Sequence, residues 1–153
     1  MHLIPAKIPH IKEMMTWFDD EQSLFTWSGP NFKYPFSLSS FREDLKLSEL
    51  SSFVLRDDKL TTLAFGQYYL RLGRCHLGRL VVTPHCRGQG IARQLMHELL
   101  QLGARELAVS EGSLFVLNHN KAAIKCYQSF GFVFTPYPNE LPLENCLYMI
   151  KHL

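Results

Sequence analysis

The run Leu80-Val81-Val82-Thr83-Pro84-His85-Cys86-Arg87-Gly88-Gln89-Gly90-Ile91-Ala92 constrains this chain more than any other. Three apolar residues close a strand, and Pro84 stops it because proline has no N–H to give a sheet ladder. After Gly88 and Gly90, the residues Ile91, Leu95, Leu99 and Leu102 recur at helical spacing. A strand, a glycine loop and a helix in succession make an α/β unit. The unbroken apolar end of the strand is expected where both faces of a sheet are covered. The glycines let backbone come close to a ligand. The N–H groups of the helix's first turn then favour an anion. A plain strand-to-helix turn would carry the same glycines.

Around this unit the periodicities continue. Residues 4–7 read as a first strand, and Ile11, Met14 or Met15, and Phe18 as a helical stripe. Residues 19–36 read as irregular, with Gly29, Pro30 and Pro35. Ser40 followed by Glu43 suggests a capping box for a short helix to about residue 47. Residues 52–56 and 60–70 read as strands joined at Asp57-Asp58-Lys59, and 76–82 as a third. After the helix come a strand at 113–117, a helix at 121–130 ended by Gly131, and two last strands, 132–137 and 146–151, paired as a hairpin. The order β-α-α-β-β-β-α-β-α-β-β describes a mixed sheet with helices packed on it.

Composition narrows the function. One hundred and fifty-three residues suit a single domain over 1–153. Sixteen Lys and Arg against fourteen Asp and Glu leave a formal charge of +2, which does not suggest a nucleic-acid binder. The longest strictly apolar run, Cys146 to Ile150, is five residues, so no membrane partner is expected. The start, Met1-His2-Leu3-Ile4-Pro5, lacks a basic and then apolar leader, which leads us to expect a cytoplasmic protein with reduced cysteines. Cys75-His76 and His85-Cys86 match no zinc spacing, so no metal is expected.

Three loop chemistries compete at Gly88 and Gly90. A phosphate-binding P-loop ends in Gly-Lys-Ser/Thr, but here the chain reads Gly90-Ile91-Ala92. A dinucleotide loop needs a third glycine where Arg93 stands, and an acid after the next strand, whereas Glu111 precedes residues 113–117. The pattern Arg/Gln-x-x-Gly-x-Gly/Ala fits as Arg87-Gly88-Gln89-Gly90-Ile91-Ala92. Downstream, Asn120-Lys121-Ala122-Ala123-Ile124-Lys125-Cys126-Tyr127-Gln128-Ser129-Phe130-Gly131-Phe132 fits Asn-x-x-Ala-x-x-x-Tyr-x-x-x-Gly-Phe. With these two motifs the chain resembles the GNAT superfamily of acyl-CoA-dependent N-acetyltransferases, strongly over about 74–134 and weakly before residue 50.

The resemblance implies a GNAT-like α/β (α+β) fold: a mixed, mostly antiparallel sheet flanked by helices and splayed between the fourth and fifth strands. It implies acetyl-CoA as acyl donor, with Leu80, Val81 and Val82 along the pantetheine arm. Arg87, Gly88, Gln89, Gly90, Ile91, Ala92 and Arg93 would hold the pyrophosphate, and Asn120, Ala123 and Tyr127 would contact the cofactor. Five arginines and no acid between Arg71 and Arg93 suit its phosphates, although Arg71 and Arg74 read equally as a solvated basic edge. Tyr127 would serve the leaving sulfur; read alone it is a core aromatic beside Ala123 and Phe130. Asn120 reads as a helix cap as well as a cofactor contact.

The base is where the chain departs from the family. Many relatives carry a Glu where Phe115 stands, and others one where His76 stands. A histidine titrating near ~6.5 is a candidate base, and a packing residue on the sheet is the other reading. Asn118 is a candidate for positioning water. The acceptor is expected between residues 19–36 and 137–145. There Trp27, Phe32 and Tyr34 would form an apolar wall, and Asp19, Asp20, Glu21 or Glu140 would attract a cation; core aromatics and a solvated acidic turn explain them equally. The expectation is an N-acetyltransferase acting on a primary amine by direct attack, as monomer or homodimer. The alternative is a non-catalytic acyl-CoA-binding or sensing module.

Overall fold

The computed structural model describes residues 1–153. Two compact units emerge, one of residues 1–67 and 79–95, the other of residues 68–78 and 96–153. In chain order the elements are β1 (His2–Pro5), α1 (Ile8–Met15), α2 (Glu21–Ser28), α3 (Leu38–Asp44), β2 (Ser51–Arg56), β3 (Thr62–Arg71), β4 (Arg74–Val82), a 3-10 turn (Pro84–Cys86), α4 (Ile91–Leu107), β5 (Glu111–Leu117), α5 (Lys121–Phe130), β6 (Val133–Phe134) and β7 (Cys146–His152). The seven strands form one sheet in the order β1-β2-β3-β4-β5-β7-β6.

In the first unit, β1 pairs antiparallel with β2, from His2↔Arg56 to Pro5↔Phe53. The core combines Ile11 and Met14 of α1 with Phe18, Leu24, Phe32, Phe41, Leu45, Val54, Phe65 and Val81. Phe41 and Met14 are fully buried, each contributing roughly 1.5–3 kcal/mol. Two expectations change here. Residues 19–36 contain helix α2, because the Asp20 carboxylate accepts from the Ser23 N–H at 2.8 Å and opens the helix, and Gly29 at φ +78° ends it. The cap of α3 is Ser37, which accepts from the Ser40 N–H at 3.1 Å, so Ser40 is the third helical residue and not the cap.

In the second unit, β4 runs parallel to β5 over three registered pairs, Cys75↔Gly112, His76↔Ser113 and Leu77↔Leu114. β5 pairs with β7 along its whole length, from Glu111↔His152 to Leu117↔Cys146. β4 and β5 are thus joined at their N-terminal ends, as the expected splay requires. β6 pairs antiparallel with β7 over Val133 and Phe134, shorter than the expected 132–137. α4 buries Met96, Leu99 and Leu100, while Leu102 is half-buried. Gly103 belongs to its buried side: an added Cβ there would lie 2.5 Å from Cys75 Sγ and 3.0 Å from Tyr68 Cδ1. No helix is long and apolar enough to cross a membrane.

Candidate active site

The glycine loop belongs to the first unit. Gly88 and Gly90 have φ +78° and +79°, a left-handed conformation that costs other residues roughly 1–2 kcal/mol. An added Cβ at either would meet nothing within 4 Å. The glycines are therefore needed for the turn itself, and the backbone at both is open to solvent. Residues 87–90 are exposed. Gln94 N–H opens the helical ladder by donating to Gly90 C=O at 3.2 Å, so the N–H groups of Ile91 and Ala92 precede it. Together with the absence of any acid from 71 to 93, this fits a phosphate-bearing group.

The neighbouring backbone is partly committed. Arg87 Nε donates to Val82 C=O at 3.4 Å, and Thr83 N–H donates to Leu63 C=O at 2.8 Å. Val81 is buried in the core, whereas Leu80 and Val82 are half-buried. The strand end is thus not covered on both faces; its apolar run alternates between a buried side and an accessible one. One signal escaped the sequence reading: Arg79, inside β4, has φ +51°. Such a residue re-aims a strand and persists only where its surroundings hold it. Trp27 Nε1 donates to Arg79 C=O at 2.9 Å, Arg79 Nη1 donates to Gln67 Oε1 at 3.3 Å, and the guanidinium lies 5.4 Å from the Phe32 ring.

Trp27 and Phe32 are accordingly held among core aromatics. The Trp27 ring stacks on Phe18 at 4.6 Å and meets Phe32 edge-on at 5.3 Å. Tyr34 is exposed, edge-on to Phe36 at 6.2 Å. Asp20 is spent on the α2 cap.

In the second unit, α5 carries the other motif. Asn120 Oδ1 accepts from Ala123 N–H at 3.3 Å, so the cap is formed. Gly131, at φ +110°, closes the helix. Tyr127 and Ala123 are half-buried, and the Tyr127 ring lies 6.3 Å from Phe132. Burial pushes the Tyr127 phenol well above its ordinary pKa, with the neighbouring Cys126 adding to the effect. Asn118 is exposed; its N–H donates to Asn145 C=O at 2.8 Å, and its own C=O accepts from Lys121 Nζ at 3.0 Å.

His76 lies inside an aromatic group. Its Nδ1 is 2.8 Å from Ser113 Oγ, and its ring is 4.7 Å from Phe115, 5.2 Å from Tyr69 and 6.5 Å from Tyr148. Burial first, and then the Arg71 charge, lower its pKa to about 3, so the imidazole is neutral at physiological pH. What the sequence alone did not reveal is the grouping of Arg71 with Tyr69 and Tyr137. Arg71 Nη1 donates to Tyr137 Oη at 3.0 Å and Nη2 to Tyr69 Oη at 3.3 Å. Its guanidinium lies 5.0 Å from the Phe115 ring. The alternation of β3 places Tyr69 and Arg71 on one face and could have linked these two, but nothing local announces Tyr137.

A family model described as the acetyltransferase (GNAT) family matches residues 12–132. A curated relative of Bacillus subtilis subsp. natto, named "Probable spermine N(1)-acetyltransferase", is 31% identical over 81 residues, which is 53% of this chain. The match spans about half of that relative, 51% of its length. Among solved structures, spermidine N-acetyltransferase from Vibrio cholerae in complex with CoA and spermine aligns with TM-score 0.74 at 16% identity, covering 99% of this chain and 94% of that one. Ribosomal-protein-alanine N-acetyltransferase from Brucella melitensis aligns with TM-score 0.73 at 20% identity, covering all of both chains. At these identities the structural likeness is one of fold.

Proposed function

The chain belongs to the acetyltransferase (GNAT) family, and on that premise we propose that it transfers the acetyl group of acetyl-CoA to a primary amine by direct attack. The observation that carries this reading is the loop ahead of α4, where two left-handed glycines present open backbone in a stretch, 71–93, whose sequence holds no acid. Bound acetyl-CoA supplies the activated acetyl thioester. Arg87, Gly88, Gln89, Gly90, Ile91, Ala92 and Arg93 would hold its pyrophosphate, the half-buried Leu80 and Val82 its pantetheine arm, and Asn120 and Ala123 a further stretch of it. The chemistry of these donors suits an anion.

Direct attack is supported by the cysteines. Burial pushes the Cys75 thiol up to about 11 and raises that of Cys146, and a thiol, unlike a thiolate, is a poor nucleophile. Tyr127 is assigned to the leaving sulfur. A phenol near ~10 lies about 1.5 units above a thiol near ~8.5, and burial widens the gap, so a hydrogen bond to the developing thiolate suits Tyr127 better than full proton transfer. His76 suits accepting a hydrogen bond better than holding a proton. With its pKa at about 3, taking a proton from a lysine-type ammonium near ~10.4 would be uphill by about 7 units. Asn118, exposed beyond β5, would position water. An amine of low pKa asks least of such a site.

The relatives' names point to polyamine or protein amines, and what carries over here is the amine. We place the reaction in the cytoplasm, with a monomer or homodimer as the working unit and no nucleic-acid or membrane partner. The test is amine-dependent release of CoA from acetyl-CoA across a panel of polyamines, amino acids and peptides, with the acetylated product identified by mass. Binding of CoA without release to any amine would leave a sensing module.

A further inference from the structure

We propose that Arg71, Tyr69 and Tyr137 form a carboxylate-binding subsite for an acceptor that carries an acid group together with its amine. The proposal rests on the transferase reading above and names the substrate class. Arg71 has no carboxylate partner; its hydrogen-bond partners are the hydroxyls of Tyr137 and Tyr69. Glu111 lies 3.4 Å from Arg74 Nε and 3.3 Å from His152 Nδ1, so that carboxylate is engaged away from Arg71. Arg71 Nε is shielded from solvent with no acceptor. A guanidinium has five N–H donors, and here two are used.

The hydroxyls sharpen the chemistry. Tyr137 and Tyr69 each accept from Arg71, and Tyr148 accepts from Arg74 Nη1 at 3.4 Å. A hydroxyl that accepts from an arginine keeps its own O–H to donate. Arg71, Tyr69 and Tyr137 therefore offer guanidinium and hydroxyl donors, and none of the three is an acid. His76, neutral, adds no charge. A partly buried cation on the aromatic faces of Phe115 and Tyr69 interacts more strongly with an anion than it would in water. A polyamine, all cation, would meet the charge of Arg71 unfavourably. Tyr137 opens the 137–145 segment, one of the two expected to flank the acceptor.

Anionic oxygens at Arg71 have two possible sources, the acceptor's carboxylate and the phosphates of CoA. The experiment separates them. Wild type, Arg71→Gln and Tyr137→Phe are each assayed with acetyl-CoA against amino acids and dipeptides, their decarboxylated counterparts, and spermidine. CoA affinity is measured alongside, and melting curves check folding. We expect the best acceptor to carry a carboxylate. Arg71→Gln should raise its KM about tenfold or more and leave the decarboxylated counterpart within about twofold, with CoA affinity unchanged. Tyr137→Phe, which keeps the ring, should give a smaller shift in the same direction.

Spermidine as best acceptor, an unchanged preference in Arg71→Gln, or a loss confined to CoA affinity would each overturn the subsite. If no amine is acetylated, the transferase reading fails by itself. The subsite is then decided by titrating the CoA-bound protein with the same amino acids: carboxylate-dependent binding lost in Arg71→Gln supports it, and no such binding overturns it.

Discussion

His76 Nδ1 and Ser113 Oγ lie 2.8 Å apart, on strands where these two residues are register partners. Both are buried, and the imidazole is the polar centre of a group of aromatic rings. That pairing gives the first prediction. In the unfolded chain this histidine titrates near ~6.5; in the folded one its pKa is about 3. Between these values the unfolded state binds the extra proton. Stability is therefore unaffected above about pH 6.5 and falls as the pH drops, by up to about 1.4 kcal/mol per unit. His76→Gln should be less stable at pH 7 yet show a shallower decline from pH 6.5 to 5. Denaturant titrations of both proteins at each pH check this, and parallel declines would show that His76 is not the group responsible.

Gly90 and Gly73 provide a matched pair. Both have left-handed φ, +79° and +73°, and at neither would an added Cβ meet anything within 4 Å. Valine at either position should cost roughly 1–2 kcal/mol of backbone strain. Only Gly90→Val should weaken CoA, by about tenfold or more, because only that backbone is assigned to the pyrophosphate. Calorimetry with CoA decides: equal affinities in the two folded variants would remove the loop from the cofactor site.

Gly103 is glycine for want of space. Gly103→Ala would push a methyl against Cys75 Sγ and the Tyr68 ring, an overpacking expected to cost about 1–3 kcal/mol. Adding Cys75→Ala should recover part of the loss, and a double-mutant cycle measures the coupling. Additive effects would mean that the helix shifts instead of pressing on the thiol.

Tyr127→Phe keeps the ring against Phe132 and removes one hydroxyl. CoA affinity and melting temperature should barely move while kcat falls about 10²-fold or more. Stability and rate lost together would make Tyr127 a core aromatic and nothing further.

Much of this was legible in the residues. The run from Leu80 to Ala92 marked strand, turn and helix because proline and glycine act locally, and α5 was readable from Asn120 to Gly131 for the same reason. Helix α2 was not: it is only eight residues long, opened by the Asp20 cap and ended by Gly29. The left-handed Arg79 inside β4 was illegible: the groups that hydrogen-bond to it, Trp27 and Gln67, lie elsewhere in the sequence. His76 was visible as a titratable group, but its loss of basicity comes from burial, in a group with Tyr69, Phe115 and Tyr148, and then from the Arg71 charge, which the sheet brings together. The contact between Arg71 and Tyr137 is equally non-local.

The most direct test of the account follows the acetyl group. Protein is mixed with acetyl-CoA labelled on the acetyl carbon, first alone and then with the amine that best releases CoA. Direct transfer by this family member predicts label on the amine, CoA released in equal amount, and no label held by the protein in either case. Label trapped on the protein without amine would contradict direct attack, and label remaining on CoA with every amine would contradict the transferase itself.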